Sequence, residues 1–200
     1  MWLFVFLRDT SMFLMHFRTE WSEYFSETPT NYNSQLYTSR QTPSNSYVYI
    51  SNCLFRSTTS TTAHGGALYF NSVTYLLIES TSFFSCNTRG YNGGAIYFSC
   101  SSGQCVLNKV CGFDCCTINS GSSQFAYISV NNAISSKNYV NYSSITRCVN
   151  EIQSSVCPTL YLYNGKDCCT AANISMNKCC HQSGIICYPY VDSNTVTCSL

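Results

Sequence analysis

Short segments in which apolar and polar residues alternate recur along the chain, separated by runs of Ser, Thr, Asn and Gly. Two of these segments are nearly identical: His64–Ser72 reads HGGALYFNS, and Asn92–Cys100 reads NGGAIYFSC 28 residues later. Alternation with a period of two is typical of half-buried β-strands, and the polar runs are typical of turns. The pattern therefore predicts many short strands, and no repeat copy shows the period of an amphipathic helix.

A second motif precedes each glycine doublet and shows that the duplication belongs to a longer repeat. Phe55, Phe84 and Phe113 lie 29 residues apart and align the segments SNCLFRST, STSFFSCN and KVCGFDCC. We predict a period of about 28–33 residues and about five copies over residues 47–200. Weaker copies of the two motifs occur at Ser143–Asn150, Ser175–Gln182, Phe125–Val130 and Thr159–Gly165.

Strands that recur at one period without an intervening helix predict stacked coils. Each strand would then pair in parallel with its copy in the next coil, about 4.8 Å away. The fold class predicted for residues 47–200 is therefore an all-β parallel β-helix, or solenoid, of about five coils.

Residues 1–46 differ from the repeats and are predicted to form an N-terminal cap or tail. They hold no cysteine and seven of the nineteen charged residues. Phe13, Phe17, Trp21 and Tyr24–Phe25 lie near helical spacing, which favours an amphipathic segment covering the apolar open end of the solenoid. An irregular tail is the alternative.

The doublets Gly65–Gly66 and Gly93–Gly94 each stand directly before a strand. Because glycine permits a positive φ and carries no Cβ, each doublet predicts a tight corner between sheets. We assign Leu68, Phe70, Ser72, Ile96, Phe98 and Cys100 to the interior, and Ala67, Tyr69, Ala95 and Tyr97 to the outside. The opposite phase, with alanine and tyrosine inside, is the alternative.

Composition narrows the range of partners. Charged residues make up 10% of the chain and the formal charge is +1, so the sequence has no basic field that would hold nucleic acid or an anionic membrane. The hydrophobic fraction of 45% argues against disorder. No apolar run reaches the roughly 18 residues of a membrane span, so none is predicted.

The fifteen cysteines all lie from Cys53 onward, and this density favours an oxidising compartment. Cys86 and Cys115 are 29 residues apart, so we predict adjacent coils with Cα atoms in disulfide reach. Cys148 and Cys179 would continue the same column, and Cys100 with Cys105 would close a small turn. Buried free thiols and, less favoured, a metal site are the alternatives.

The N-terminal run MWLFVFL lacks a basic leader and a clear cleavage site. The cysteines nevertheless favour an extracellular or cell-surface location, and the two signals agree if the chain is a fragment of a longer secreted protein. Asn141 and Asn173 stand in N-x-S sequons and are candidate N-glycosylation sites.

No constellation of catalytic residues stands out. Glycoside hydrolysis needs two carboxylates at a set separation, and the acidic residues of the repeats are scattered. We interpret them as solvated surface charge. His181 follows Cys179–Cys180, but adjacent cysteines are poorly spaced for zinc, so no catalytic residue, cofactor or metal ligand is predicted. The acidic residues in question are Glu79, Asp114, Glu151, Asp167 and Asp192.

Gly65–Leu68 and Gly93–Ile96 resemble the GGA-I/L/V motif of the polymorphic outer-membrane protein repeats, and Phe84–Asn87 is similar to the companion F-x-x-N motif. Such repeats also occur in large cysteine-rich surface proteins of protists. The resemblance implies a right-handed parallel β-helix of the pectin-lyase-like type, displayed outside the cell and active in adhesion. The resemblance does not identify any catalytic residue in this sequence.

We therefore expect a non-catalytic, structural or adhesive surface protein whose partners are extracellular glycans or proteins. A carbohydrate-active β-helix, a lyase or hydrolase, is one alternative, and a fragment of a longer surface protein is another. Two carboxylates converging on one exposed groove would favour the enzyme.

Overall fold

The computed structural model describes residues 21–119, 121–148, 158–178 and 184–188, together with the backbone of 196–199. Almost all regular structure in these residues is β-strand, and the strands stack into a parallel solenoid of about four turns. The predicted all-β parallel β-helix is thus confirmed.

The described residues form one short helix, α1 (Trp21–Tyr24), followed by 21 strands. The strands are β1 (Thr30–Asn33), β2 (Leu36–Tyr37), β3 (Tyr47–Ser51), β4 (Leu54–Arg56), β5 (Thr59–Ser60), β6 (Leu68–Phe70), β7 (Tyr75–Glu79), β8 (Ser82–Phe84), β9 (Asn87–Arg89), β10 (Ile96–Ser99), β11 (Gln104–Asn108), β12 (Cys111–Phe113), β13 (Cys116–Ile118), β14 (Ala126–Ser129), β15 (Lys137–Asn141), β16 (Ser144–Thr146), β17 (Leu160–Tyr163), β18 (Lys166–Thr170), β19 (Asn173–Ser175), β20 (Ile185–Tyr188) and β21 (Val196–Ser199).

Successive coils contribute strands to the same sheets, and the strand pairs are parallel. Sheet 1 runs β1-β3-β7-β11-β15-β18-β21, and sheet 2 runs β2-β4-β8-β12-β16-β19. Sheet 3 contains β5-β9-β13, and sheet 4 runs β6-β10-β14-β17-β20. Each side chain therefore lies above its counterpart in the preceding coil, so that one residue position forms a row along the solenoid.

The interior rows are mostly apolar, and aromatic rings stack within them. Phe55 lies opposite Phe83, with ring centroids 4.9 Å apart and planes 7° from parallel. The predicted alignment of Phe55 with Phe84 is therefore wrong by one residue. A one-residue shift moves a strand side chain to the opposite face, so Phe84 points outward and lies opposite Phe113.

The glycine doublets form corners, as predicted. Gly65 and Gly93 have φ values of +66° and +70°, a region that other residues rarely adopt. A Cβ on Gly94 would lie 2.1 Å from the Gln124 carbonyl oxygen, so the second glycine allows coils to approach closely. The first glycine thus supplies the bend and the second supplies the space.

The predicted assignment of side chains to the interior or the outside is confirmed for the large side chains but is wrong at the ends of the strands. Tyr69 and Tyr97 face outward, and their leucine, isoleucine and phenylalanine neighbours are buried. Ala67 and Ala95 were expected outside but are fully buried, because the corner interrupts the alternation before the strand begins. Ser72 was expected inside but is exposed beyond the end of β6, and Cys100 is only partly buried after β10.

The corners that lead into sheets 2 and 3 use ordinary residues in the left-handed conformation. This conformation costs an L-residue roughly 1–2 kcal/mol. It could not be predicted, because the residue types at these positions differ between coils. One row contains Asn52, Ser80, Lys109, Tyr142 and Ala171, and the other contains Ser57, Ser85, Asp114, Arg147 and Met176, with φ between 46° and 56°.

Residues 30–37 extend the solenoid by two strands. β1 pairs with β3, and β2 pairs with β4, so the boundary predicted between residues 46 and 47 is wrong and the solenoid begins at Thr30. Trp21 and Phe25 pack on the outer face of sheet 1 with Tyr49, Leu77 and Val106. They cover a side of the solenoid because these outward positions are apolar. Phe13 and Phe17 lie outside the described residues.

Cys86 and Cys115 occupy the same position in successive coils, since Phe84 pairs with Phe113 and Asn87 pairs with Cys116. Both thiols are fully buried. Burial raises the pKa of Cys115, and neighbouring Cys148 and Cys86 act in the same direction. The three cysteines therefore form a buried thiol column.

The thiol column ends at an asparagine. The side chain of Asn177 accepts a hydrogen bond from the backbone N–H of Cys148 at 2.8 Å and donates one to the Ile145 carbonyl oxygen. The predicted continuation at Cys179 does not fit this register, and Cys179 itself lies outside the described residues. Cys105 is buried within β11 and Cys100 is partly exposed, and no disulfide joins them, so the predicted small turn closed by this pair is not formed.

Candidate binding surfaces

Four tyrosines form a row on the outer face of sheet 4. Tyr69, Tyr97, Tyr127 and Tyr161 lie opposite one another in successive coils. Their ring centroids are 5.5, 5.2 and 5.0 Å apart, and their planes lie within 15° of parallel. We call this row the tyrosine ladder. It forms because the outward position of the GGA-type strand is tyrosine in each of these coils.

The first coils hold the end of the ladder in place. The Arg40 guanidinium lies 4.8 Å from the ring centroid of Tyr69 and donates hydrogen bonds to the carbonyl oxygens of His64 and Gly65. The His64 ring stacks on Tyr97 at 4.3 Å. Burial lowers the pKa of His64, and the Arg40 charge lowers it further, which favours a neutral imidazole.

The ladder tyrosines are half-buried, and their ring faces are stacked on each other. Burial also raises the pKa of Tyr127, and neighbouring Tyr97 and Tyr161 raise it further, so its hydroxyl stays protonated. Tyrosine combines a large apolar body with a hydrogen-bonding tip and is enriched at protein interfaces. The face therefore suits binding of an extended partner.

Besides the tyrosine ladder, a stacked pair of phenylalanines lies on the outer face of sheet 2. Phe84 and Phe113 stack with centroids 4.9 Å apart, and the Arg147 guanidinium lies over Phe113 at 5.3 Å. The pair occupies two coils only, since Arg56 and Thr146 take the same position in the neighbouring coils. Without hydroxyl groups, it offers fewer polar contacts than the ladder.

A pocket of about 830 Å³ opens on the outer face of sheet 1, beside α1. Its floor contains two rows of outward side chains from β11, β15 and β18, and its rim comes from α1 and from the left-handed corner residues. We call it the sheet-1 pocket. Its lining residues are Glu23, Tyr24, Asn108, Lys109, Tyr139, Asn141, Tyr142, Lys166, Cys168 and Thr170.

A buried hydrogen-bond network borders this pocket. Glu79 accepts hydrogen bonds from the Tyr49 hydroxyl and from Nδ2 of Asn108. The Lys109 ammonium lies 3.8 Å from Glu79 Oε1. The carboxylate is therefore held in place and its charge is balanced, which explains how an acidic residue occupies an outward position that α1 has largely covered.

The acidic residues do not converge. Glu79 lies on sheet 1, Asp114 is exposed at the corner after sheet 2 and bonds to Ser85, and Asp167 points into the solenoid. The interpretation as surface charge is wrong for Glu79 and Asp167, because both are buried. Burial raises the pKa of Asp167 to about 7. Glu151 and Asp192 lie outside the described residues.

The described residues contain no group of three or more His, Cys, Asp or Glu side chains placed to hold a metal ion. The Cys179–Cys180–His181 segment lies outside them. The two sequons differ in exposure: Asn141 is only 9% exposed, whereas Asn173 is exposed at the start of β19. Burial argues against a glycan on Asn141, and Asn173 stays a candidate.

No protein-family model, no curated protein and no solved structure matches the chain. Within the described residues, no helix has the length and apolarity that a membrane crossing requires. The basis for assigning a function is therefore the geometry of the surfaces described above, above all the tyrosine ladder and the sheet-1 pocket.

Proposed function

We propose that this protein is a non-catalytic β-helix of the cell surface that adheres to a partner through the tyrosine ladder. The ladder supports this function because it presents four amphipathic side chains in one line on an exposed face. Their fixed spacing fits an extended partner, a glycoprotein or a glycan chain, which contacts several coils at once.

The cysteine content and the resemblance of the GGA repeats support an extracellular location. In an oxidising compartment, Cys86 and Cys115 are the natural pair to form a disulfide, because parallel neighbours lie about 4.8 Å apart and disulfides span roughly 4.4–6.8 Å between Cα atoms. Such a bond would join successive coils and limit the unfolded chain.

The alternative of a carbohydrate-active enzyme needs an acid and a base in one groove. Glu23 is the only carboxylate that lines the sheet-1 pocket among the described residues. This arrangement favours binding over hydrolysis. Incubation with plant and mucin-type glycans tests the enzymatic alternative, because new reducing ends or unsaturated sugars would establish catalysis.

Adhesion is tested with the double variant Tyr97→Ser/Tyr127→Ser. Purified protein is applied to immobilised mucin and extracellular-matrix glycoproteins, and retention is measured. The double variant is expected to bind about tenfold more weakly or worse, because central tyrosines are often binding hot spots.

The matched control is Phe84→Ser/Phe113→Ser, which removes a stacked pair of the same kind from sheet 2. It is expected to bind like the parent. Equal loss in both double variants would indicate a general effect on folding. Retention of full binding by the ladder variant would exclude this face as the adhesive surface.

A further inference from the structure

The aromatic surface of sheet 4 widens at the end of the tyrosine ladder. Tyr163 stands two residues after Tyr161 on β17, and Tyr188 lies opposite Tyr163 in the following coil. We call Tyr161, Tyr163 and Tyr188 the tyrosine cluster, and their ring centroids are 5.6 to 6.4 Å apart. Tyr163 is 40% exposed and Tyr188 is 52% exposed, so a molecule in solution reaches both side chains without any rearrangement.

The tyrosine cluster differs from the ladder in the orientation of its rings. The planes of Tyr163 and Tyr188 are 60° apart, whereas neighbouring rings of the ladder lie within 15° of parallel. Parallel stacked rings cover each other's faces, and rings at a steep angle do not. Together with the exposure of the two side chains, this angle leaves ring faces open to a partner.

The described strands of sheet 4 carry no charge. β6, β10, β14, β17 and β20 contain no Asp, Glu, Lys or Arg, and Arg40 packs against Tyr69 at the far end of the ladder. Ser99 and Ser129 lie in register with Tyr163 in the two preceding coils, and both are half-buried. A charged partner would lose hydration at this face without meeting an opposite charge. The face therefore favours a neutral partner that carries hydroxyl or amide groups.

The spacing of the tyrosines fits one kind of neutral chain. From Tyr69 through the ladder to Tyr188, successive ring centroids are 5.5, 5.2, 5.0 and 5.6 Å apart, one step for each coil. In an extended β-1,4-linked chain of glucose or N-acetylglucosamine, each sugar advances the chain by about one ring length, which is close to this step. The axial C–H bonds make both faces of each sugar apolar, and the polar groups lie at its edges. Such a chain places one sugar over each coil.

We propose that the partner of this face is a neutral β-1,4-linked glycan that lies along the solenoid axis. One sugar packs its C–H face on the tyrosine cluster, because an apolar ring face and an aromatic ring exclude water from each other. The following sugars extend over the coils of Tyr127 and Tyr97, where tyrosine and serine hydroxyl groups form hydrogen bonds with the sugar edges. Aromatic rings with a few polar groups are the usual lining of a ligand site. This assignment rests on the adhesive function proposed above and names the chemistry of its partner.

The assignment is tested on the full chain by isothermal titration with β-1,4-linked oligomers of glucose and of N-acetylglucosamine, from the single sugar to the hexamer. Affinity for the preferred series is expected to rise about tenfold or more from the dimer to the tetramer, because each added sugar contacts a further coil. Hexamers of glucosamine and of mannuronate have the same linkage with a positive or a negative charge on each sugar. Both are expected to bind at least several-fold more weakly than the neutral hexamer.

The double variant Tyr163→Ser/Tyr188→Ser removes the two exposed rings and is expected to weaken binding of the neutral tetramer about tenfold or more. Its thermal midpoint should stay close to that of the parent, because both side chains are exposed. Tyr163→Phe/Tyr188→Phe keeps the rings and should retain most of the binding. Tyr142→Ser is the matched control, since it removes a tyrosine that is 61% exposed at a corner outside sheet 4, and it should bind like the parent.

Binding that rises with chain length, falls in Tyr163→Ser/Tyr188→Ser and is unchanged in Tyr142→Ser supports the assignment. Failure of both neutral hexamers to bind the parent overturns it, as does tighter binding of a charged hexamer or undiminished binding by the cluster variant. Adhesion is judged separately, by retention on glycoproteins. If the parent is retained there and the ladder variant is not, while no neutral oligomer binds, the ladder is adhesive toward a polypeptide or a charged glycan, and only the assignment to a neutral glycan fails.

Discussion

Asp167 shows how the solenoid interior can hold a single residue in an unusual state. Its side chain is 1% exposed, and burial raises its pKa against a smaller opposite effect of a hydrogen bond with the Cys187 thiol. Asn138 lies opposite on β15, and its buried Oδ1 has no hydrogen-bond partner in the described residues. A protonated Asp167 can donate to that oxygen, which agrees with the raised pKa of about 7.

Stability is therefore expected to fall with rising pH. An unfolded aspartate titrates near pH 4, whereas folded Asp167 keeps its proton until its pKa of about 7. Between these values the unfolded chain releases a proton that the folded chain retains, so the contribution of Asp167 is complete below about pH 4 and is lost by about pH 7.

The variant Asp167→Asn should remove this dependence and stabilise the protein by about 1–3 kcal/mol at pH 8, with little change at pH 4.5. Urea unfolding at the two pH values measures the difference. Asp114→Asn, at an exposed corner, controls for loss of a carboxylate. A stability difference that is the same at both pH values would show that the charge of Asp167 is not the cause.

The glycine corner gives a second prediction at the residue scale. Gly93 and Gly90 both have positive φ, but a Cβ on Gly93 would lie 2.0 Å from the Ile96 carbonyl oxygen, whereas nothing lies within 4 Å of a Cβ on Gly90. Gly90→Ala should cost about 1–2 kcal/mol of unfolding free energy for backbone strain alone. Gly93→Ala should cost about 2–5 kcal/mol, because overpacking is added.

Chemical denaturation of the two variants measures this difference. Because the dihedral strain is nearly the same, the excess cost of Gly93→Ala reports the close approach at the corner. Equal destabilisation would mean that the corner relaxes freely and that the doublet serves only to supply positive φ.

At the scale of the strand and its corner, two neighbouring interior positions share one space. Where one coil has a large residue at the first position and a small residue at the second, the next coil has the reverse. The inward position of sheet 2 holds Phe55, Phe83 and then Gly112 in successive coils, whereas the corner before sheet 4 changes from alanine to Phe125. A Cβ on Gly112 would lie 2.5 Å from the Phe125 ring, so this ring fills the space that Phe55 and Phe83 fill in the two preceding coils.

The exchange predicts strong coupling between the two positions. Phe125→Ala should lower the unfolding free energy by about 3–5 kcal/mol by leaving a cavity, and Gly112→Phe should be destabilising by overpacking. The double variant restores the arrangement of the preceding coils and should be at least about 1–3 kcal/mol more stable than the sum of the single effects. A double-mutant cycle by urea unfolding measures the coupling, and additive losses would contradict the proposed exchange.

The repeat period and the glycine corners could be predicted because each residue position recurs in register. The predicted Phe register failed by one residue because Phe83 and Phe84 are adjacent, and only their burial distinguishes them. The corners at Asn52 and Ser57 could not be predicted, since their counterparts share a backbone conformation and not a residue type. The sheet-1 pocket could not be predicted because it joins α1 to strands that are far from it in sequence. Tyr24 and Asn141, which are in contact there, are 117 residues apart.

Across the whole molecule, the position of a residue within its coil determines whether its side chain is buried or exposed. Successive rows face either the interior or the solvent, so the cysteines whose side chains the structure describes divide into a buried group and a group that reaches solvent. The buried group is Cys53, Cys86, Cys105, Cys115, Cys148 and Cys169, whereas Cys111 is exposed and Cys100, Cys116, Cys168 and Cys187 are partly exposed.

This division predicts the order of thiol modification in the native reduced protein. Iodoacetamide should label Cys111 first, because the thiol must reach solvent to react as a thiolate. Burial raises the pKa of Cys116 to about 11 and should slow its labelling. The buried group should react only after unfolding in urea, and peptide mapping by mass spectrometry follows each site. Labelling of Cys86, Cys115 and Cys148 as fast as Cys111 would contradict the buried thiol column.

The same column links the fold to its compartment. If the protein resides outside the cell, mass spectrometry of unreduced material from its native source should show Cys86 joined to Cys115 or Cys115 joined to Cys148. Both bonds cannot form together, because each requires the central sulfur of Cys115, so one thiol of the column must stay free or pair elsewhere. Free thiols at all three positions would leave the stacked geometry intact but would remove the chemical argument for an extracellular home.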